Sequence, residues 1–270
     1  MVTPKRSTRN SWRFPPETKE VQLDERWSFV QKKEKQCAPD NAQDRLCGDN
    51  WDHTALDPEN RLVLSLVPGK RTAENCEKLV EDVKARTGGR TDILLTTDEH
   101  PPYKTAREKV YAREVPQPKR PGPGRPPQPK RIMPEDLCYG TVNKTRKRGV
   151  VVEVVRTLIF GTAAMLDLYL SRSKVSSQLN TSFVERNNGT ERNQNSRKVR
   201  KTYSFSKDWE VHNAVSYFMA FSYNFCWPVR TLRVKGDDGQ WQARTPAMAA
   251  KLADHVWDTR EWVTYPAKPG

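Results

Sequence analysis

Apolar positions along the 270-residue chain fall into separated runs of different period, and those periods set the expected elements. Val21 to Val30 alternates, with Leu23, Glu25, Trp27 and Phe29 on one face and Asp24, Arg26 and Ser28 on the other. The spacing predicts a first strand on which Asp24 leaves the apolar side. Residues Gln31 to Asn50 are charged and aperiodic, hence a long hairpin loop. Trp51–Asp57 and Arg61–Val67 read as two further strands joined by the turn residues Asp57-Pro58-Glu59-Asn60, so an antiparallel meander is expected. Pro68-Gly69 closes it. Leu79, Val80 and Val83 mark an amphipathic helix within Thr72–Thr87, stopped by Gly88-Gly89. Thr91–Thr97 is a short apolar run after that helix, hence a strand parallel to an earlier one. Asp98 stands at its carboxyl end, before a helical segment Glu99–Val110.

The pattern breaks at Tyr111. Prolines 116, 118, 121, 123, 126, 127 and 129 alternate with Lys119, Arg120, Arg125, Lys130 and Arg131, which excludes helix and sheet. A disordered, polyproline-like arm is expected, acting as a linker or as a tracker of phosphates. Lys144, Arg146, Lys147 and Arg148 lead into Val150–Phe160, a fifth strand, while Met165–Ser171 is an apolar cluster without further pattern. Ser182-x-x-Glu185 either opens a polar helix as a capping box or presents Glu185 as a metal ligand. Arg186, Arg192, Arg197, Lys198, Arg200 and Lys201 follow it as candidate phosphate contacts. Within Trp209–Phe225, helical spacing selects Val211, Ala214, Val215, Phe218, Met219, Ser222 and Phe225 as the face that packs on the sheet, and Tyr217, Phe221 and Tyr223 read as core. Trp241, Pro246, Met248–Leu252 and Trp257 suggest a strand or turn and a short helix. The chain divides into a basic tail (1–20), a core (21–233) carrying the basic arm (111–148), and an extension (234–270).

Composition sharpens the choice of partner. Hydrophobic residues make up 35% and mean hydropathy is −0.87, so part of the chain is expected to be unburied. A net charge of +14 points to polyanions. Five cysteines (Cys37, Cys47, Cys76, Cys138 and Cys226) without a C-x-x-C exclude a disulfide framework and a zinc knuckle, and suit a reducing cytoplasm. No apolar run reaches membrane-span length, so a soluble protein with no membrane partner is expected. There is no Walker or Rossmann glycine pattern and no nucleophilic serine or cysteine with a plausible base. What remains is a triad of carboxylates, Asp24, Asp98 and Glu185, on two strand ends and a helix. Hard oxygen ligands suit Mg²⁺ or Mn²⁺. Two such ions roughly 3.5–4 Å apart activate a water or a 3′-hydroxyl for in-line displacement at phosphorus. Without metal, mutual repulsion should raise at least one of the three pKa values. Asp52, His53 and Asp57 are rival ligands, although Asp57 sits where capping is the expected role.

Leu-Asp24-Glu-Arg-Trp-Ser-Phe-Val, Leu-Leu-Thr-Thr-Asp98-Glu-His and Asn-Thr-Ser-Phe-Val-Glu185-Arg-Asn-Asn, the last followed by Arg-Lys-Thr-Tyr-Ser-Phe-Ser-Lys, resemble the three catalytic blocks of DDE transposases of the insertion-sequence-one type. Tyr223-Asn224-Phe225 also fits, and the likeness runs from about Val21 to Arg233. It implies an α/β, RNase H-like fold: a mixed five-stranded sheet, helices on its faces, and Asp24, Asp98 and Glu185 converging on a pair of divalent ions. The implied function is metal-dependent cleavage and strand transfer of double-stranded DNA, at element ends and target, with a homo-oligomer on that DNA as an option and nucleoid association when bound. A non-catalytic DNA-binding remnant and an RNase H-like nuclease unconnected with mobility are the alternatives. Gly189 and Glu191 stand where such proteins carry apolar residues, and Glu99 replaces a glycine. Only 23 residues precede Asp24, where relatives carry an end-binding segment, so a truncated copy or a second-frame product is expected.

Overall fold

The computed structural model describes residues 17–38, 40–118 and 127–265. Residues 1–16 of the expected tail, and Lys119, Arg120 and Arg125 of the arm, lie outside the described residues. β1 (Glu20–Val30), β2 (Gly48–Asp57) and β3 (Leu62–Gly69) form the antiparallel meander. Thr72 caps α1 (Ala73–Arg86) through its side chain, and Gly88 and Gly89 end it with φ of 68° and 76°. β4 (Leu94–Thr97) then returns parallel to β1, and α2 (Pro101–Tyr111) follows.

The central sheet has six strands rather than five, in the order β3-β2-β1-β4-β7-β8. The strand missed in the sequence is β7 (Cys138–Lys147), which pairs parallel to β4 and falls inside the segment assigned to the basic arm. Its first half is buried and its second half is polar and exposed, so no single period marks it. β8 (Val150–Phe160) is an antiparallel edge strand, joined to β7 by a two-residue turn in which Arg148 and Gly149 both take positive φ (51° and 81°). The proline-rich segment is also not wholly strand-free: β5 (Arg113–Val115) and β6 (Lys130–Ile132) pair where it begins and ends.

Two layers of helix cover the sheet. On one face Val21, Leu23, Ala55, Leu62 and Leu64 pack against Cys76, Leu79, Val80 and Val83 of α1 and Tyr103 and Ala106 of α2. On the other, Leu56, Val63 and Leu66 meet Val184 of α4 (Ser182–Gln194) and Ala220, Phe221 and Tyr223 of α5 (Trp209–Cys226). α3 (Ala163–Arg172), unassigned from sequence, closes a smaller core of Leu94, Cys138, Val142, Tyr169 and Leu179. Near the C-terminus come a two-stranded ribbon of β9 (Val234–Lys235) and β10 (Trp241–Gln242), then α6 (Pro246–Ala249) and α7 (Thr259–Thr264). The extension is docked rather than separate, since Trp257 and Trp262 pack on Phe225.

The face chosen for α5 is rotated. Val211 and Phe218 are half exposed, whereas His212, Ser216, Ala220 and Asn224 are buried. The buried stripe of α5 carries His212, Ser216 and Asn224, so a search for the apolar face selects the wrong side. That stripe is polar because it faces charge. Arg26 on β1 is fully buried between Asp52 of β2 (2.5 Å) and Glu191 of α4, and Lys198 pairs with Asp52 while donating to Ser216 Oγ at 2.5 Å. Burial alone would raise the Asp52 carboxyl, but Lys198 and Arg26 hold it well below the usual carboxylate range. Burial lowers the Lys198 ammonium to about 8 against the pull of Asp52. Lys198 is therefore a structural cation with no face toward a phosphate, which corrects its assignment as a DNA contact. Glu191, at a position read as apolar, answers Arg26.

Removing one member of such a group strands its partner in the interior. Glu191→Ala should lower the unfolding free energy by about 3 kcal/mol in urea titration, and an unchanged midpoint would place Glu191 outside the ion cluster.

Candidate functional site

β4 is bonded to β1 only over Glu20–Leu23 and to β7 only over Cys138–Thr141. Beyond Thr97 the two longer strands continue without it, two strand spacings or about 10 Å apart. A cavity of about 640 Å³ opens in that notch. Asp98 follows the last residue of β4, Asp24 is one residue past the Leu23–Thr97 pair on β1, and Asn143 and Lys144 come soon after the Thr97–Thr141 pair on β7; all line it.

α4 closes the notch. Thr181, Glu185, Asn188 and Arg192 recur at helical spacing and line the cavity, while Val184, Asn187 and Glu191 are buried beside them. The N-terminus of α4 is anchored by β1: Gln22 Oε1 accepts the amides of Phe183 (3.1 Å) and Val184 (3.2 Å). The expected capping box is absent. Thr181 is the N-cap, Ser182 Oγ donates instead to Asn180 Oδ1 (2.7 Å), and Glu185 Oε1 accepts from the Thr181 hydroxyl (2.7 Å) and from Lys144. Gln22 supplies the acceptor that the local sequence does not.

Oxygens of Asp24, Glu25 and Asp98 all lie within 4.8 Å of one another, and Glu185 lines the same cavity while paired with Lys144. Asp24 Oδ2 accepts from Asn188 Nδ2 (2.8 Å) and its Oδ1 from the Glu25 amide (2.9 Å); Asp98 Oδ1 accepts from the His100 amide (3.1 Å). Burial first, then repulsion by Asp98 and Glu25, pushes the Asp24 carboxyl up to about 7. Burial and Glu25 also raise Asp98. Carboxylates crowded in this way form a donor set that could hold a metal ion, and all-oxygen ligands suit a hard cation.

A basic rim surrounds these acids. Arg71, Lys144, Arg146, Arg192 and Arg200 line the cavity, and Arg71 pairs with Glu25 at 2.9 Å. Of the expected phosphate contacts, Lys147 and Arg148 are exposed at the tip of the β7–β8 hairpin, and Lys130 and Arg131 are exposed on β6. Arg186 and Lys201 are exposed, and Arg197 is half-buried after α4. The rivals Asp52, His53 and Asp57 are buried outside the cavity; Asp57 accepts from the Glu59 and Asn60 amides, the expected capping role. Sequence reading missed Glu25, Gln22, Asn188 and the inward turn of Lys144. Only Asn188 carried a signal, its helical spacing from Glu185.

No family model matches the chain, and no curated protein matches its sequence at a significant level.

Because Asp24 titrates higher folded than unfolded, the metal-free folded state holds more protons between about pH 4 and 7, and stability falls as pH rises through that window. Asp24→Asn should flatten this slope and stabilise the protein above pH 7 by on the order of 2 kcal/mol. Melting curves across pH check it, and an unchanged slope would contradict the shift.

Proposed function

We propose that this chain is the catalytic core of a DDE transposase of the insertion-sequence-one type, with an RNase H-like fold, cutting and joining double-stranded DNA. One observation carries the reading. The three acids singled out by the sequence blocks, Asp24, Asp98 and Glu185, come from remote parts of the chain and line one cavity rimmed by arginine and lysine. A mixed sheet with helices on both faces agrees with the fold that the resemblance implies.

Asp24, Asp98 and Glu185 would hold Mg²⁺ or Mn²⁺, two ions in the full arrangement, with Glu25 beside them. Such ions supply an activated water or 3′-hydroxyl and stabilise the leaving oxygen. The protein's own part is positioning. Asn188 fixes the Asp24 carboxylate, and Gln22 fixes the start of the Glu185 helix. Arg192 and Arg200 line the cavity and would meet phosphate oxygens there. Lys144 pairs with Glu185, and the carboxylate would have to leave that ammonium to bind metal.

That same ion pair favours the second reading. An ammonium placed on Glu185 satisfies it without metal, as in a DNA-binding remnant that has lost turnover. Nicking of supercoiled DNA separates the two. With Mg²⁺ or Mn²⁺, the core reading expects cleavage that falls by orders of magnitude in Asp98→Asn and Glu185→Gln while DNA affinity holds. Binding without metal-dependent nicking in the unaltered protein would decide for the remnant.

The rim, continued by the exposed tip of the β7–β8 hairpin, should bind duplex DNA with little sequence preference. Replacing exposed Lys147 and Arg148 with alanine should flatten the dependence of log affinity on log salt by about 0.9 for each phosphate no longer neutralised; an unchanged slope would put the hairpin tip off the DNA.

A further inference from the structure

A second group of metal-ligating side chains sits under the acids, on the sheet face covered by α1 and α2. Glu25, His53 and Cys76 each bring one ligand atom within 4.8 Å of the others, and all three are buried. Three elements deliver them. Glu25 on β1 lies directly opposite His53 on β2, and Cys76 is in the first turn of α1.

The hydrogen bonds of this group are incomplete in an informative way. His53 Nδ1 lies 3.0 Å from the carbonyl oxygen of Val67, which can only accept, so Nδ1 carries the proton. Nε2 therefore presents a lone pair, and it has no hydrogen-bond partner although His53 is fully buried. Glu25 Oε2 accepts from Arg71 at 2.9 Å, and its buried Oε1 has no partner either. Tyr103, whose ring also lies in this layer, brings its hydroxyl beside Glu25 and Cys76. Buried polar atoms are rarely left so, and here they stand around one buried thiol. An imidazole oriented by a carbonyl on one nitrogen and free on the other is the usual setting of a metal-bound histidine. One sulfur, one nitrogen and one oxygen donor match the borderline softness of zinc better than the hard preference of magnesium.

We propose that Glu25, His53 and Cys76 bind one zinc ion beneath the acid cavity. On binding, the Cys76 S–H bond breaks, its proton leaves to solvent, and the thiolate sulfur bonds to zinc; His53 and Glu25 keep their protonation states. The ion ties β1, β2 and α1 together and neutralises Glu25, which otherwise repels Asp24 and Asp98. It shares Glu25 with the acid cavity but adds His53 and Cys76 from outside it, and it stands whether or not the chain cuts DNA.

The test uses the whole chain, stripped with a chelator and titrated with Zn²⁺ or Co²⁺ alone. One equivalent of Zn²⁺ should be retained and should raise the melting temperature, and Co²⁺ should give a near-ultraviolet thiolate-to-cobalt band. Cys76→Ser should abolish the band, and His53→Gln should weaken Zn²⁺ binding by about 100-fold or more. Cys138→Ser, at another buried thiol, should leave the band in place. Lack of a thiolate band in the unaltered protein would overturn the proposal, even if the variants fail to fold. A band that survives Cys76→Ser, or that disappears in Cys138→Ser or in a Cys37→Ser/Cys226→Ser double variant, would overturn it equally, by assigning the metal to another thiol.

Discussion

β4 is hydrogen-bonded from Leu94 to Thr97, while its neighbours β1 and β7 run on to Val30 and Lys147. Where it stops, the sheet must carry a gap one strand wide, and the chain must leave that gap with its next residue. The residue is Asp98. Asp24 is placed at the gap by register with Thr97, and Lys144 by its place after Thr141. Had β4 continued, strand pairing would close the space that the acids share. The cavity is thus a product of unequal strand lengths, filled from one side by α4.

α4 can sit there because it satisfies two demands at once. Its stripe of Thr181, Glu185, Asn188 and Arg192 faces the notch, and its neighbouring stripe of Val184 and Glu191 is buried on the sheet. The helix is poor in apolar residues, with a single buried valine, so hydrophobic area cannot be what fixes it. The contacts that do so are polar: Gln22 at its first amides and Arg26 at Glu191, both on the same face of β1 as Asp24. Successive even-numbered residues of one strand therefore anchor the helix, carry a carboxylate of the site, and anchor the helix again. The position of Glu185 relative to Asp24 follows from hydrogen bonds and charge, which are directional where packing is not. Asn224 does similar work at the far edge, its side chain bonding both the amide and the carbonyl of Val63 where the β2–β3 register shifts.

Much of the frame was legible. The meander, the α1 helix and its glycine stop, the strand before Asp98 and the run Val150–Phe160 followed from period and punctuation, since each is a local property. β7 was not, because it changes from buried to exposed half way along and borders a proline-rich segment. The inner face of α5 was misread for a related reason: its buried side is chosen by Lys198 and Asp52, which are remote in sequence. At the site, the strand alternation and the strand-end rule found Asp24 and Asp98, and the motif blocks supplied Glu185. Glu25 escaped because it lies on the other strand face and reaches the cavity only where β4 is missing. His53 was weighed only as a rival to the acids, and its grouping with Cys76 escaped because cysteine spacing detects local metal knuckles, whereas these side chains meet only through the β1–β2 register and the start of α1.

Function rests on whether the carboxylates in the notch form a cation site. Diffraction from crystals grown with Mn²⁺, with anomalous data collected near the manganese edge, tests this directly. The expected result is an anomalous peak bonded to Asp24 and Asp98, with the Glu185 carboxylate turned from Lys144 toward the metal. A cavity without a peak at saturating Mn²⁺, with Glu185 still paired to Lys144, would contradict it.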